Sequence, residues 1–199
     1  MKEVLIVCAM QKEGIKIASR LELDKLNDSI FRKGSISLLI SGIGKQKTAI
    51  SLTQYLCNNV KPELIVNIGY AGSTDIQIGK WVNVTKCFNY EWDIPGEEKY
   101  SMLDFGNQEL VILNLEDMIC APCYTAEEFV TNTDITEKVV FDMELHSVAL
   151  ICDMKNIKLL SLKKVSDNLS LEKYYDNLKS EEVFELESSV KILKESNLI

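Results

Sequence analysis

Three carboxylates stand where the chain passes from one element to the next: Glu13 behind the first apolar run, Glu144 at the start of a helical stretch, and Asp167 after a late apolar run. Singly each has an ordinary reading, because acidic side chains favour the positive end of a helix. Together they suit acid–base chemistry on a neutral organic substrate, with one carboxyl group protonated and another ionised. A fourth feature is Ile68-Gly69-Tyr70-Ala71-Gly72-Ser73. Small residues behind a buried strand let the backbone approach a ligand and offer N–H groups to hydroxyls or anions.

Other motifs carry less. Gly42-Ile43-Gly44-Lys45 is not a dinucleotide fingerprint, since Lys47 occupies the third glycine position, and not a phosphate loop, since Leu39 stands where its first glycine belongs. It reads as a tight turn between strand and helix. Cys120-Ala-Pro-Cys123 has the spacing of a redox pair or half a zinc site, but the single histidine, His146, has no partner. The six cysteines (Cys8, Cys57, Cys87, Cys120, Cys123, Cys152) therefore read as reduced thiols, several of them in the core. No metal is expected. His146 reads as a polar helix residue, and Tyr70, inside the glycine-rich turn, as a ring facing a ligand.

These groups need a scaffold, and the elements alternate. Glu3–Ala9 predicts a buried strand, followed by a helix over Gln11–Leu21. Ile30–Arg32 and Ser35–Ser41 predict a hairpin, Lys45–Asn58 a helix, and Leu64–Ile68 the next buried strand. Trp81–Thr85 reads as a strand and Tyr90–Asn107 as a long loop. Val139–Asp142 predicts a short strand running into a helix from Met143 to about Met154, and Ile157–Val165 a strand ending at Ser166-Asp167-Asn168. Two helical segments close the chain, the last from about Ser180 to Glu195, with Val183, Leu186, Val190 and Leu193 on one face. Such alternation predicts an α/β fold with a largely parallel sheet covered on both sides, and ligands gather at the carboxyl ends of its strands.

Composition narrows the partners. With 199 residues and no repeat or low-complexity linker, one domain over 1–199 is the simplest partition. The net charge of −8 and the lack of a dense Lys/Arg cluster argue against nucleic acid. No run of 18 apolar residues and no signal peptide is found, which predicts a cytoplasmic protein without a membrane partner.

In chain order, Ala9-Met10-Gln11-Lys12-Glu13, Ser41-Gly42-Ile43-Gly44-Lys45, Asn67-Ile68-Gly69-Tyr70-Ala71-Gly72, Phe141-Asp142-Met143-Glu144 and Val165-Ser166-Asp167 resemble the motifs of the nucleoside phosphorylase/nucleosidase superfamily. The likeness is nearest to the methylthioadenosine/S-adenosylhomocysteine nucleosidases. It implies a three-layer α/β/α sandwich with a central mixed, largely parallel sheet, and cleavage of a purine nucleoside N-glycosidic bond without metal or organic cofactor. Asp167 would match the general acid at purine N7, and Glu13 the residue that positions and deprotonates water. Glu144 would match the carboxylate that grips the ribose hydroxyls, with Met143 packed on the sugar. Phe129 and the backbone of Val130 lie where the family stacks on and reads the base. Tyr70, Ala71 and Gly72 of the glycine-rich turn, with Ser166 beside the acid, complete the expected substrate-binding set. The resemblance also implies a homo-oligomer, dimer or hexamer.

The chemistry fits independently: breaking the C1′–N9 bond builds positive charge on the ribose and negative charge on the purine, so carboxylates near the sugar and a proton donor near N7 act at both sites. This requires a raised pKa at Asp167 while Glu13 stays ionised. The resembling phosphorylases place an Arg where Asn67 stands, and Gln11–Ala18 holds lysines but no Arg, so hydrolysis is expected over phosphorolysis. The alternatives are a phosphate-dependent phosphorylase and a nucleoside-binding protein without turnover. Tyr70 in place of a small Ser or Thr, Thr125–Val130 without the family's glycine, and His146 in place of a small residue all depart from the pattern, as does a shortening mostly between Trp92 and Cys123.

Overall fold

Val4–Cys8 is apolar throughout, and the strand it forms is buried at every position, as a strand covered on both faces must be. The computed structural model describes residues 2–103, 110–116, 118–177 and 185–199. In chain order the elements are β1 (Val4–Cys8), α1 (Gln11–Arg20), β2 (Asp24–Lys25), β3 (Ile30–Lys33), β4 (Ile36–Ile40), α2 (Lys45–Asn58), β5 (Leu64–Gly72), β6 (Trp81–Asn89) and β7 (Ser101–Met102). There follow β8 (Ile119–Thr125), β9 (Val140–Asp142), α3 (Leu145–Lys155), β10 (Lys158–Asp167), α4 (Leu171–Asn177), a 3-10 turn (Leu186–Ser188) and α5 (Ser189–Glu195).

The strands form one mixed sheet in the order β10-β6-β8-β9-β5-β1-β4-β3-β2, with β7 on β6. Because β5 also pairs with β10, strands β5, β10, β6, β8 and β9 close into a ring. Among the described residues, β1 runs parallel to β4 and β5, β10 to β5, and β8 to β6 and β9, while the other five ladders are antiparallel. The sheet is thus mixed, as expected, and most of its paired residues lie in the parallel ladders, which are on the whole the longer ones. Hairpins β2–β3–β4 and the returns within the ring supply the antiparallel pairs.

Two apolar clusters flank the sheet. One joins Leu52 and Tyr55 of α2 to Leu145, Val148 and Ala149 of α3 and to alternate positions of the strands. The other joins Ile17 and Ala18 of α1 to Leu186, Val190 and Leu193 near the carboxyl terminus. Val183, expected on that last face, lies outside the described residues, as do 180–184 generally. Helix α5 itself begins at Ser189. No helix among the described residues is long and apolar enough to cross a membrane.

Three stretches differ from their expectation. The segment Gly69–Gly72 continues β5 as strand because β10 pairs with it through Gly72. Strand β8 falls outside the expected elements, and its Pro122 cannot donate to a ladder. Here the β6–β8 register slips between Val84 and Cys87, opposite that proline, so the missing N–H falls at an irregularity. Within Tyr90–Asn107, Tyr90 stacks on Tyr100 at 5.3 Å and β7 pairs with β6; residues 104–107 lie outside the described residues.

Candidate active site

The carboxyl ends of β1, β5, β9 and β10 converge on a cavity of about 440 Å³. Glu13, Glu144 and Asp167 all line it, together with Tyr70, Ala71, Gly72, Phe129, Met143 and Ser166. Val130 is the exception. It lines a smaller adjoining recess with Phe129, Gly72 and Asp167.

Each carboxylate is held by its local backbone. Glu13 sits one turn into α1, and its Oε2 accepts the Met10 N–H at 2.8 Å, so it closes the start of its own helix as well as facing the cavity. Glu144 caps α3, and its Oε1 accepts the Gly44 N–H at 2.9 Å from the start of α2. Asp167 ends β10; its Oδ2 accepts the Ser166 hydroxyl at 2.7 Å and its Oδ1 the Leu169 N–H at 2.9 Å. Across the ladder, a β-carbon at Gly72 would stand 2.9 Å from both Asp167 Oδ1 and Leu169 Cδ2. Only glycine leaves room for the acid in this position.

Burial dominates the electrostatics. It pushes Glu13 up to about 7, with Glu144 adding to the rise and the Met10 N–H and Lys163 opposing it. Glu144 is likewise pushed up to about 7, by burial and then by Asp142. Burial also raises Asp167, against the donors from Ser166, Leu169 and Ser170 that favour its ionised form. The chemistry requires a raised Asp167 and an ionised Glu13; here burial raises both. The cause in both is burial in a mostly apolar cavity, and Glu13 alone is raised further by a second carboxylate, Glu144.

The sequence reading missed Lys163 and Asp142. Their ion pair measures 2.6 Å and is sealed from solvent, with Lys163 1% exposed. Asp142 also accepts the Thr125 hydroxyl at 2.6 Å, the Leu145 N–H at 2.9 Å and the Cys123 thiol at 3.4 Å. Lys163 holds Asp142 below the usual carboxylate range despite its burial, and Asp142 in turn raises Lys163. A β-carbon at Gly69 would lie 3.7 Å from Lys163 Nζ and 3.8 Å from Glu13 Oε1, which places ammonium and carboxylate side by side over β5. The signal was the pair Lys163-Lys164 inside the mostly apolar run Leu159–Val165, since a lysine within a strand covered on both faces demands a buried counter-charge.

Aromatic groups close the cavity from α4. The rings of Phe129 and Tyr174 lie 5.5 Å apart, and Tyr174 and Tyr175 both line the cavity. Burial, then Glu13 and Asp167, push the Tyr174 hydroxyl up to about 12, so it is a donor at any working pH. Tyr70 also lines the cavity and is likewise raised by burial and by Glu13. His146 donates its backbone N–H to Thr125 Oγ1 at 2.9 Å, and its ring is half-buried with a lowered pKa, first through burial and then through Lys45.

Cys120 and Cys123 lie three apart on β8 and so face opposite sides of the strand, one exposed and one buried. All six cysteines are free. Among the described residues no group of three or more His, Cys, Asp or Glu side chains could hold a metal ion.

The phosphorylase superfamily model matches residues 3–191. The 5′-methylthioadenosine/S-adenosylhomocysteine nucleosidase of Buchnera aphidicola subsp. Schizaphis graminum is 25% identical over 194 residues, covering 81% of this chain and 82% of that protein. The apo structure of Arabidopsis thaliana 5′-methylthioadenosine nucleosidase superposes with a TM-score of 0.81 at 18% identity, covering 99% of this chain and 96% of that one. A mutant of Helicobacter pylori MTAN with 5′-methylthioadenosine in its active site gives 0.78 at 18% identity over 99% and 98%.

Proposed function

Since the chain belongs to the phosphorylase superfamily, we propose that it is a single nucleoside phosphorylase-like domain, built as a three-layer α/β/α sandwich, that hydrolyses the N-glycosidic bond of a purine nucleoside. The substrate we infer is a 5′-substituted adenosine such as methylthioadenosine or S-adenosylhomocysteine. The observation that carries this reading is the convergence of Glu13, Glu144 and Asp167 on one cavity beside the ring of Phe129. The nucleosidase name of the Buchnera relative supports it.

Asp167 and Phe129 share the cavity and its adjoining recess, which makes that end the place for a flat base. Asp167 donates its proton to N7, and the purine leaves as a neutral molecule. Glu144 accepts the ribose hydroxyls, and its charge, with that of Glu13, stabilises the positive ribose. Glu13 takes a proton from water as the oxygen bonds to C1′. Lys163, beside Glu13, favours the ionised base at the moment it is needed.

Water rather than phosphate is the nucleophile in this reading. Among the described residues that line the cavity Lys163 is the one cation, and Asp142 already neutralises it. A phosphate dianion would meet uncompensated carboxylates instead. Incubation with 5′-methylthioadenosine in phosphate-free buffer is expected to release adenine and free sugar. Release that requires phosphate and gives a sugar 1-phosphate would make the protein a phosphorylase, and binding without cleavage over hours would make it a nucleoside-binding protein.

The titration of Glu13 gives a second expectation. The base must be ionised and its pKa is about 7, so kcat/KM rises as pH increases through about 7 and not near the usual carboxylate value. A pH–rate profile whose acid limb lies near 4 would mean that the essential base titrates as an ordinary carboxylate, without the rise that burial gives Glu13. We also read the chain as a cytoplasmic homo-oligomer. Its free thiols fit a reducing compartment, and the exposed Ile50, Leu150 and Met154 of α2 and α3 offer apolar area to a second copy.

A further inference from the structure

The sequence presents Gly42-Ile43-Gly44-Lys45 as punctuation between strand and helix, and the structure gives its end a larger part. Gly42 and Gly44 both take positive φ, 87° and 95°, as the turn requires. Gly44 then donates its N–H to Glu144. Its neighbour Lys45, the first residue of α2, sends its ammonium the other way. Nζ donates to Glu91 Oε2 at 2.6 Å and to Asn89 Oδ1 at 2.9 Å, and stands 3.7 Å from Glu127 Oε1. Glu91 Oε1 accepts the Glu127 backbone N–H at 2.5 Å, which closes the arrangement.

Two consecutive residues at one helix start therefore touch two parts of the site. Gly44 fixes the carboxylate assigned to the ribose. Lys45 fixes the root of the irregular segment that carries Phe129, two residues beyond Glu127. Lys45 is well shielded, with its side chain 13% exposed, while Glu91 and Glu127 are about two-fifths exposed. Rim ion pairs of this kind contribute about 0–1 kcal/mol to stability, so the arrangement matters more for placement than for folding.

We propose that Lys45, with Glu91 and Glu127, is a positioning clamp that sets the distance between the base-stacking Phe129 and the ribose-gripping Glu144. The inference rests on the nucleoside reading above and names what determines the site's fit to its base. Lys45 touches no reacting atom.

The test combines calorimetric titration of adenine with kcat and KM for 5′-methylthioadenosine. For Lys45→Met, adenine affinity is expected to fall about tenfold and KM to rise in parallel, with kcat changed less than about threefold, because the misplacement affects binding while Glu13 and Asp167 stay in place. Glu91→Gln, on the more exposed side of the clamp, is expected to act in the same direction, and Lys45→Arg to restore most of the loss. A Lys45→Met protein with wild-type adenine affinity overturns the clamp, as does a fall in kcat at unchanged KM. A wild-type protein that binds no adenine overturns the nucleoside reading and the clamp together, so the two failures are distinguishable.

Discussion

Asp167→Asn is expected to lower kcat by about 10²–10⁴-fold, the range lost when a positioned general acid is removed. The fold is expected to survive. An asparagine oxygen can still accept the Leu169 N–H, and the Ser166 hydroxyl, which already has Ala71 O within 3.3 Å, can rotate away from the new amide. The amide cannot give a proton to N7, so the purine would have to leave as an anion. Steady-state kinetics alongside thermal unfolding check this: turnover equal to wild type at unchanged stability would show that Asp167 is not the acid.

The largest effect on stability is expected at Lys163. Replacing it with Met keeps most of the side-chain volume but leaves the Asp142 carboxylate buried with no counter-charge. Breaking a buried pair in this way costs about 3–5 kcal/mol, a large part of the stability of a domain. Three neutral donors remain on Asp142, from Thr125, Leu145 and Cys123, and they reduce the loss without replacing the ammonium. Adding Asp142→Asn to Lys163→Met is expected to recover part of it, because removing both charges is far less costly than removing one. Denaturant unfolding of the single and double variants decides: a single variant as stable as wild type would mean that the ion pair is not sealed from solvent.

The elements legible in the sequence were those whose pattern is self-contained. Helix α2 matches its expected bounds because its start is set by Gly44 and its end by the residues before Lys61-Pro62. Strand β1 and the β3–β4 hairpin follow from continuous or alternating apolar runs. Strand β8 was not legible, because Pro122 hides its character and only a partner with a register slip accommodates it. Ring closure depends on β5 pairing with β9 and β10 far along the chain, and no local pattern records such pairings.

The site divides in the same way. Glu13, Glu144 and Asp167 could be singled out because each ends or begins an element, and all three reach one cavity. Lys163 and Asp142 belong to strands, where alternation alone does not say which polar residue faces another. Tyr174 reaches the site from a helix without a single buried residue, so no apolar stripe announces it. Gly44 looked like a turn residue because its contribution is a backbone N–H, which leaves no side-chain trace.

The closed ring of strands also bears on how copies of this chain can meet. Strands β10 and β6, which would otherwise border the sheet, pair with each other and, among the described residues, leave no continuous hydrogen-bonding edge there. At the opposite end the path stops on β2, two exposed charged residues, Asp24 and Lys25. A short, charged border resists strand-by-strand extension into aggregates. A homo-oligomer of the kind proposed above would therefore form by side-chain packing between helices and not by sheet extension, a contact that can be specific and self-limiting.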